Sequence, residues 1–133
     1  MTVFDANFAL DYEDGIEATK EYLLAHSDER FLVPAPTLLK VLIGDVHYEG
    51  AATDPLAARE NLSFVDEIHS VTERTVMHAA HVADEIGPQG PQLTMPDAAV
   101  AGTSRELDVP VVSHDSDLTH EATKRVLAVE EYR

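Results

Sequence analysis

Three aspartates stand where an open α/β fold can do chemistry. Asp5 closes the apolar run Val3-Phe4-Asp5-Ala6-Asn7. Asp97 lies in Thr94-Met95-Pro96-Asp97-Ala98-Ala99, and Asp115, followed by Asp117, lies in Val111-Val112-Ser113-His114-Asp115-Ser116-Asp117. Each falls just past an expected strand or at the start of an expected helix. Open α/β sheets bind ligands outside the carboxyl ends of their strands. Clustered carboxylates repel one another and are costly to desolvate unless a cation joins them. Oxygen donors select Mg²⁺ or Mn²⁺, which keep several waters. A metal-bound water can attack phosphorus while metal stabilises the departing oxygen. The chemistry these acids point to is phosphodiester hydrolysis.

Each acid also has a structural account. Asp97, three residues after Thr94, suits a capped helix start. Asp115 or Asp117 suits an Asx turn. Asp5 has the weakest such account, because an Asp closing an apolar strand has little structural reason. Their order along the chain favours a shared site.

The elements that must position these acids alternate. Thr2 to Ala6 reads as a strand, and Asp14-Gly15-Ile16-Glu17 as a capped helix start with Leu23 and Leu24 facing the core. Phe31 to Val33 is a second strand, stopped by Pro34 and Pro36. The next helix, about Thr37 to Tyr48, is apolar almost all round and is expected to be deeply packed. A loop from Gly50 leads to a helix from Pro55 to about Asp66, with Asp54 as its cap, and then to an extended stretch near Ile68 to Val71. Thr72 caps a helix with a stripe of Val76, Ala79, Ala80, Ala83 and Ile86, ended by Gly87. Residues 87–92 are rich in Pro and Gly and read as a mobile loop. Thr94 is expected to cap a thin helix; Val109 to Ser113 reads as a strand, Leu118 to Thr123 as a short helix, and Val126 to Val129 as a last strand. Strands alternating with helices predict a mostly parallel sheet of four to five strands in a three-layer α/β/α arrangement.

The chain has 133 residues, enough for one domain spanning 1–133. It has no cysteine, which excludes disulfides, thiolate metal sites and cysteine nucleophiles. No run approaches the ~18 apolar residues of a membrane span, and no basic leader precedes the first strand, so a cytoplasmic protein is expected. Twenty-five acids face nine Lys and Arg, a net charge of −16, and only Lys20, Lys40 and Lys124 are lysines. The acids are dispersed rather than blocked, as in a protein adapted to high internal salt, where screening within about 3 Å at 1 M removes self-repulsion. Such a charge argues against nonspecific nucleic-acid binding through a broad basic face, but not against a nuclease whose substrate phosphates are held by metal.

Four stretches together carry a resemblance: Val-Phe-Asp-Ala-Asn, Pro-Ala-Pro-Thr-Leu-Leu-Lys-Val-Leu-Ile-Gly, Pro-Asp-Ala-Ala-Val-Ala and Val-Val-Ser-His-Asp-Ser-Asp-Leu. In this order and spacing they resemble the successive motifs of PIN domains, in particular the VapC toxins of type II toxin–antitoxin pairs. The resemblance spans essentially the whole chain. It implies a parallel sheet with flanking helices and Mg²⁺- or Mn²⁺-dependent cleavage of RNA. It further implies a cognate antitoxin and a homodimer, with no DNA substrate. By position, Asp5, Asp97 and Asp115 match family acids that hold metal, Asp117 matches an acid often present nearby, and Asn7 and Ser113 match polar residues lining the site. The departure is Lys40, where the family has a Glu. A lysine there is no ligand; its ammonium would partly replace the metal's charge. Either a natural loss or an inactivating substitution accounts for it. Asp45 and Glu49, more than a turn on, are not obvious replacements.

Two other readings stand beside the nuclease. A non-catalytic module could hold a protein or RNA around Lys40 without turnover, and metal affinity separates the two. A phospho-receiver needs an acid pair after the first strand, and only Asp5 is there. His78 and His81, i and i+3, lack a third ligand and read as polar helix positions. His114 beside Asp115 reads as a loop residue or a phosphate contact. His47, His69 and His120 carry no motif.

Overall fold

The computed structural model describes residues 1–48 and 54–133; Glu49 and the loop expected from Gly50 lie outside them. Five parallel strands form one sheet in the order β3-β2-β1-β4-β5. They are β1 (Thr2–Phe4), β2 (Phe31–Pro34), β3 (Glu67–His69), β4 (Val111–Val112) and β5 (Val129–Glu130). The helices are α1 (Ala6–Glu13), α2 (Glu17–Ala25), α3 (Ala35–His47), α4 (Pro55–Asn61), α5 (Glu73–Ile86), α6 (Asp97–Leu107) and α7 (Glu121–Lys124). The first three strands run outward from β1 on one side, and β4 then returns to its other side. The strand order therefore reverses between β1 and β4, the kind of crevice in which open α/β sheets bind ligands.

Period-two alternation splits the strand side chains between two cores. Phe4, Phe31, Val33 and Val112 face a layer with Phe8, Val41, Leu62 and Phe64, drawn from α1, α3 and the stretch after α4. Val3, Leu32 and Val111 face Val100 of α6 and Leu118. Val82 and Ile86 of α5 meet Ala101 of α6 and Leu127. These cores make the expected three-layer α/β/α arrangement. Gly102 sets the closeness of α5 and α6, because a Cβ there would stand 2.6 Å from the Thr75 carbonyl oxygen.

Several expected boundaries move. The chain turns straight from β1 into α1, an unexpected helix, so Asp14 ends that helix rather than starting the next, and Ile16 precedes α2. Leu24 is exposed, with only Leu23 reaching the core. On α5 the buried positions are Thr75, Val82 and Ile86, while Val76 is exposed, so the apolar stripe is rotated from the expected one. Helix α4 ends at Asn61, β4 and β5 are two residues each, and the β5 register falls at Val129–Glu130 because Val126 and Leu127 close the turn after α7. The largest difference is α3, which buries Thr37 and Val41 but exposes Leu39 and Ile43.

Candidate active site

Asp5 is fully buried where β1 becomes α1. It is the N-cap of α1: its Oδ1 accepts from the Phe8 N–H at 2.9 Å. This capping supplies the structural reason that the strand pattern alone lacked. Its Oδ2 accepts from the Ser113 hydroxyl. Ser113 Oγ in turn accepts from the Asp115 N–H at 2.9 Å. One hydroxyl thus ties the carboxyl ends of β1 and β4 together at the strand reversal. Asp115 closes its own loop, its Oδ2 accepting from the N–H groups of Asp117 at 2.9 Å and Leu118 at 3.1 Å. That is the Asx-turn geometry open to an Asp here.

Asp97 is the first residue of α6, with Pro96 before it. Thr94 does not cap with its side chain; its carbonyl oxygen accepts from the Ala98 N–H at 2.8 Å. Burial first, then the charges of Asp115 and Asp5, push the Asp97 carboxyl up to about 6, while Lys40 pulls against them. Burial likewise pushes Asp5 up to about 6, opposed by the hydrogen bonds from Ser113 and Phe8, with Asp115 adding to the rise. Asp5, Asp97 and Asp115 therefore act on one another electrostatically, and Asp117 acts on Asp97 from an exposed position.

Lys40 is exposed at the second turn of α3, and its charge reaches Asp97. It lies beside Pro36, Leu39, Ile43, Met95 and Pro96. The apolar residues around it divide, with Leu39 62% and Ile43 57% exposed while Val41 is buried and Leu38 and Leu42 pack against the core. Asn7 sits half-buried in the first turn of α1, next to the Asp5 cap. Asp45 does not stand in for the missing Glu. It lies beside Glu13 in a different pocket, and burial first and then the neighbouring Asp45 push the Glu13 carboxyl up to about 8.

The all-oxygen donor set fits a hard divalent ion in type and charge, since a cation would offset the burial, and the lesser repulsion, that raise Asp5 and Asp97. Among the described residues, no three Asp, Glu, His or Cys side chains lie close enough to hold one ion. Both Asp5 oxygens and one Asp115 oxygen are turned to hydrogen-bond donors, and Asp97 has the Lys40 charge within reach. Asp5, Asp97 and Asp115 lie within electrostatic reach of one another but not at ligand distance.

A second cluster borders Asp5 and was not read from the sequence. Asp11 Oδ2 accepts from the Tyr132 hydroxyl at 2.5 Å and from Arg133 Nη1 at 2.8 Å, and His114 Nε2 lies 3.7 Å away. These bonds join residues 121 and 122 positions apart, with no local pattern to announce them.

The PIN domain family model matches residues 2–124. Among solved structures, VapBC2 from Rickettsia felis bound to a DNA fragment from their promoter superposes with a TM-score of 0.80 at 12% identity, covering 99% of this chain and 98% of that one. A toxin–antitoxin complex from Klebsiella pneumoniae gives 0.75 at 18% identity, over 100% of this chain and 98% of that one. FitAcB from Neisseria gonorrhoeae gives 0.75 at 17%, over 99% and 98%. At these identities the likeness is one of fold. No curated protein sequence matches the chain.

Proposed function

This chain belongs to the PIN-domain family, and on that premise we propose that it is a toxin-type endoribonuclease dependent on Mg²⁺ or Mn²⁺ and attenuated by Lys40. The observation that carries the reading is the mutual charge action of Asp5, Asp97 and Asp115 at the reversal of strand order. These three would hold the ion once it drew their carboxylates to ligand distance, with Asp117 assisting and Asn7 and Ser113 lining the site. When bound, such an ion supplies an activated water and a Lewis acid for the departing oxygen. The chain's own residues prepare the place. Ser113 holds Asp5 against the Asp115 loop, and the α1 cap keeps the Asp5 carboxyl at the end of β1. Lys40 sets a fixed positive charge on the Asp97 side, lowering the site's attraction for a divalent ion and offering a phosphate a donor.

That structural neighbours are toxin–antitoxin complexes supports a cognate antitoxin as partner, whose Arg residues would pair with the acidic cleft. The proposal extends to a homodimer, a single domain over 1–133, and a cytoplasm rich in salt. Among the described residues no helix is long and apolar enough to cross a membrane.

The test is RNA cleavage with Mn²⁺ in molar salt by the chain and by Lys40→Glu. The expected outcome is cleavage restored or strongly raised in Lys40→Glu. Absence of cleavage by both, with both folded, would sink the nuclease reading. The Lys40 charge on Asp97 favours one other reading, a non-catalytic binding module. On that reading Mn²⁺ leaves the melting temperature of both proteins unchanged, because a ligand stabilises only what it binds.

A further inference from the structure

We propose that His114 and Arg133 form a ledge on the Asp5 side of the acidic site that binds a backbone phosphate of single-stranded RNA beside the one to be cut. The inference rests on the nuclease reading and adds to it the residues that hold the strand. A site of three carboxylates in a chain of net charge −16 repels the very backbone it must approach. Donors therefore have to stand at its edge. Lys40 is one, on the Asp97 side. On the opposite side, His114 acts on both Asp5 and Asp11, and Arg133 acts on Asp11.

Asp11 gathers this edge. It is only 17% exposed, whereas His114 is 39% and Arg133 40% exposed, so the anchor lies inside and the donors outside. A latch for the end of the chain would need less. Tyr132 already supplies it, with its hydroxyl on Asp11 and its ring against Phe8 at 4.7 Å between centroids. Arg133 spends one of its five N–H donors on Asp11, leaving the rest without a hydrogen-bond partner among the described residues. The His114 ring stands edge-on to Tyr132 at 5.6 Å and, among the described residues, makes no hydrogen bond of its own. Both side chains face Asp11, yet Arg133 keeps further N–H groups and His114 its hydrogen-bonding capacity, and at about 40% exposure they offer a phosphate oxygen the donors it requires.

The experiment is a fluorescence-anisotropy titration of a 5′-labelled single-stranded RNA oligonucleotide with the full chain in EDTA, where metal-dependent cleavage cannot intervene. Arg133→Gln and His114→Gln are compared with Arg125→Gln, a control with the charge change of Arg133→Gln whose ion pair with Glu121 is exposed at the end of α7. Melting temperatures are recorded alongside, and the two test positions lie in separate segments, so one misfolded variant leaves the other informative. Each ledge variant is expected to weaken binding about threefold to tenfold. Arg133→Gln should also reduce the salt dependence of log affinity by about 0.7, the share of one phosphate contact on a single strand. Unchanged affinity in both folded ledge variants, or an equal loss in Arg125→Gln, overturns the ledge; if Lys40→Glu still cuts RNA, the nuclease reading survives that result. If neither the chain nor Lys40→Glu binds or cuts RNA, both readings fall together.

Discussion

Asp97 shows how one carboxylate can be structurally tolerated and electrostatically out of place. At the first position of α6 it meets the favourable end of the helix dipole, yet burial and the charges of Asp115 and Asp5 outweigh that benefit and raise it to about 6 from 3.8. The folded state then holds the proton more tightly than the unfolded chain does. Its contribution to stability is complete below about pH 3.8 and is lost as pH rises through about 6. Asp97→Asn makes the neutral form permanent. It should therefore raise the melting temperature at about pH 7.5 and leave it unchanged near pH 4, as read by calorimetry in metal-free buffer. A divalent ion at the site should narrow that difference, because it supplies the compensation that the substitution otherwise provides.

At the scale of elements, α5 and α6 depend on closeness rather than on large side chains. Ala99, Ala101 and Gly102 make α6 thin, and a Cβ at Gly102 would meet backbone at 2.6 Å and the Ala79 Cβ at 2.9 Å. Backbone cannot swing aside as a flexible side chain can, so Gly102→Ala should destabilise the fold by about 1–3 kcal/mol in denaturant unfolding. Since α6 presents Asp97, the same change should move that acid relative to Asp5. The thinness of this helix was legible from its small residues. The apolar run of α3 was legible as a helix but not as a half-exposed one, because Leu39 and Ile43 carry the same character as Val41 and only the packing of neighbours decides which is covered. Helix α1 escaped notice for another reason: the residue that ends β1 is also its cap, so no loop separates the two.

For the whole molecule, charge dominates. Twenty-five acids against nine bases leave −16 on a surface with few ion pairs among the described residues. Screening contracts from about 10 Å at 0.1 M salt to about 3 Å at 1 M, so repulsion between dispersed carboxylates fades across that range. The melting temperature should rise by several degrees between about 0.1 and 2 M KCl, more than excluded-solute effects produce in a variant carrying Asp→Asn and Glu→Gln changes at exposed positions. A flat response would remove the case for adaptation to high salt.

The succession of strands and helices along the chain, the placing of an Asp after β1, at the head of α6 and after β4, and the oddity of Lys40 were all determined by the sequence, because hydrophobic period, turn residues and motif order are local properties of the chain. Tertiary structure alone decided the rest. The reversal of strand order between β1 and β4 brings Asp5 and Ser113 together across 108 positions. Burial, which no residue carries by itself, raises Asp5 and Asp97. The Asp11 cluster joins the two ends of the chain, and the charge of an exposed Lys40 falls on Asp97. Each of these is a contact or a field between segments far apart in sequence, and such quantities exist only once the chain has packed.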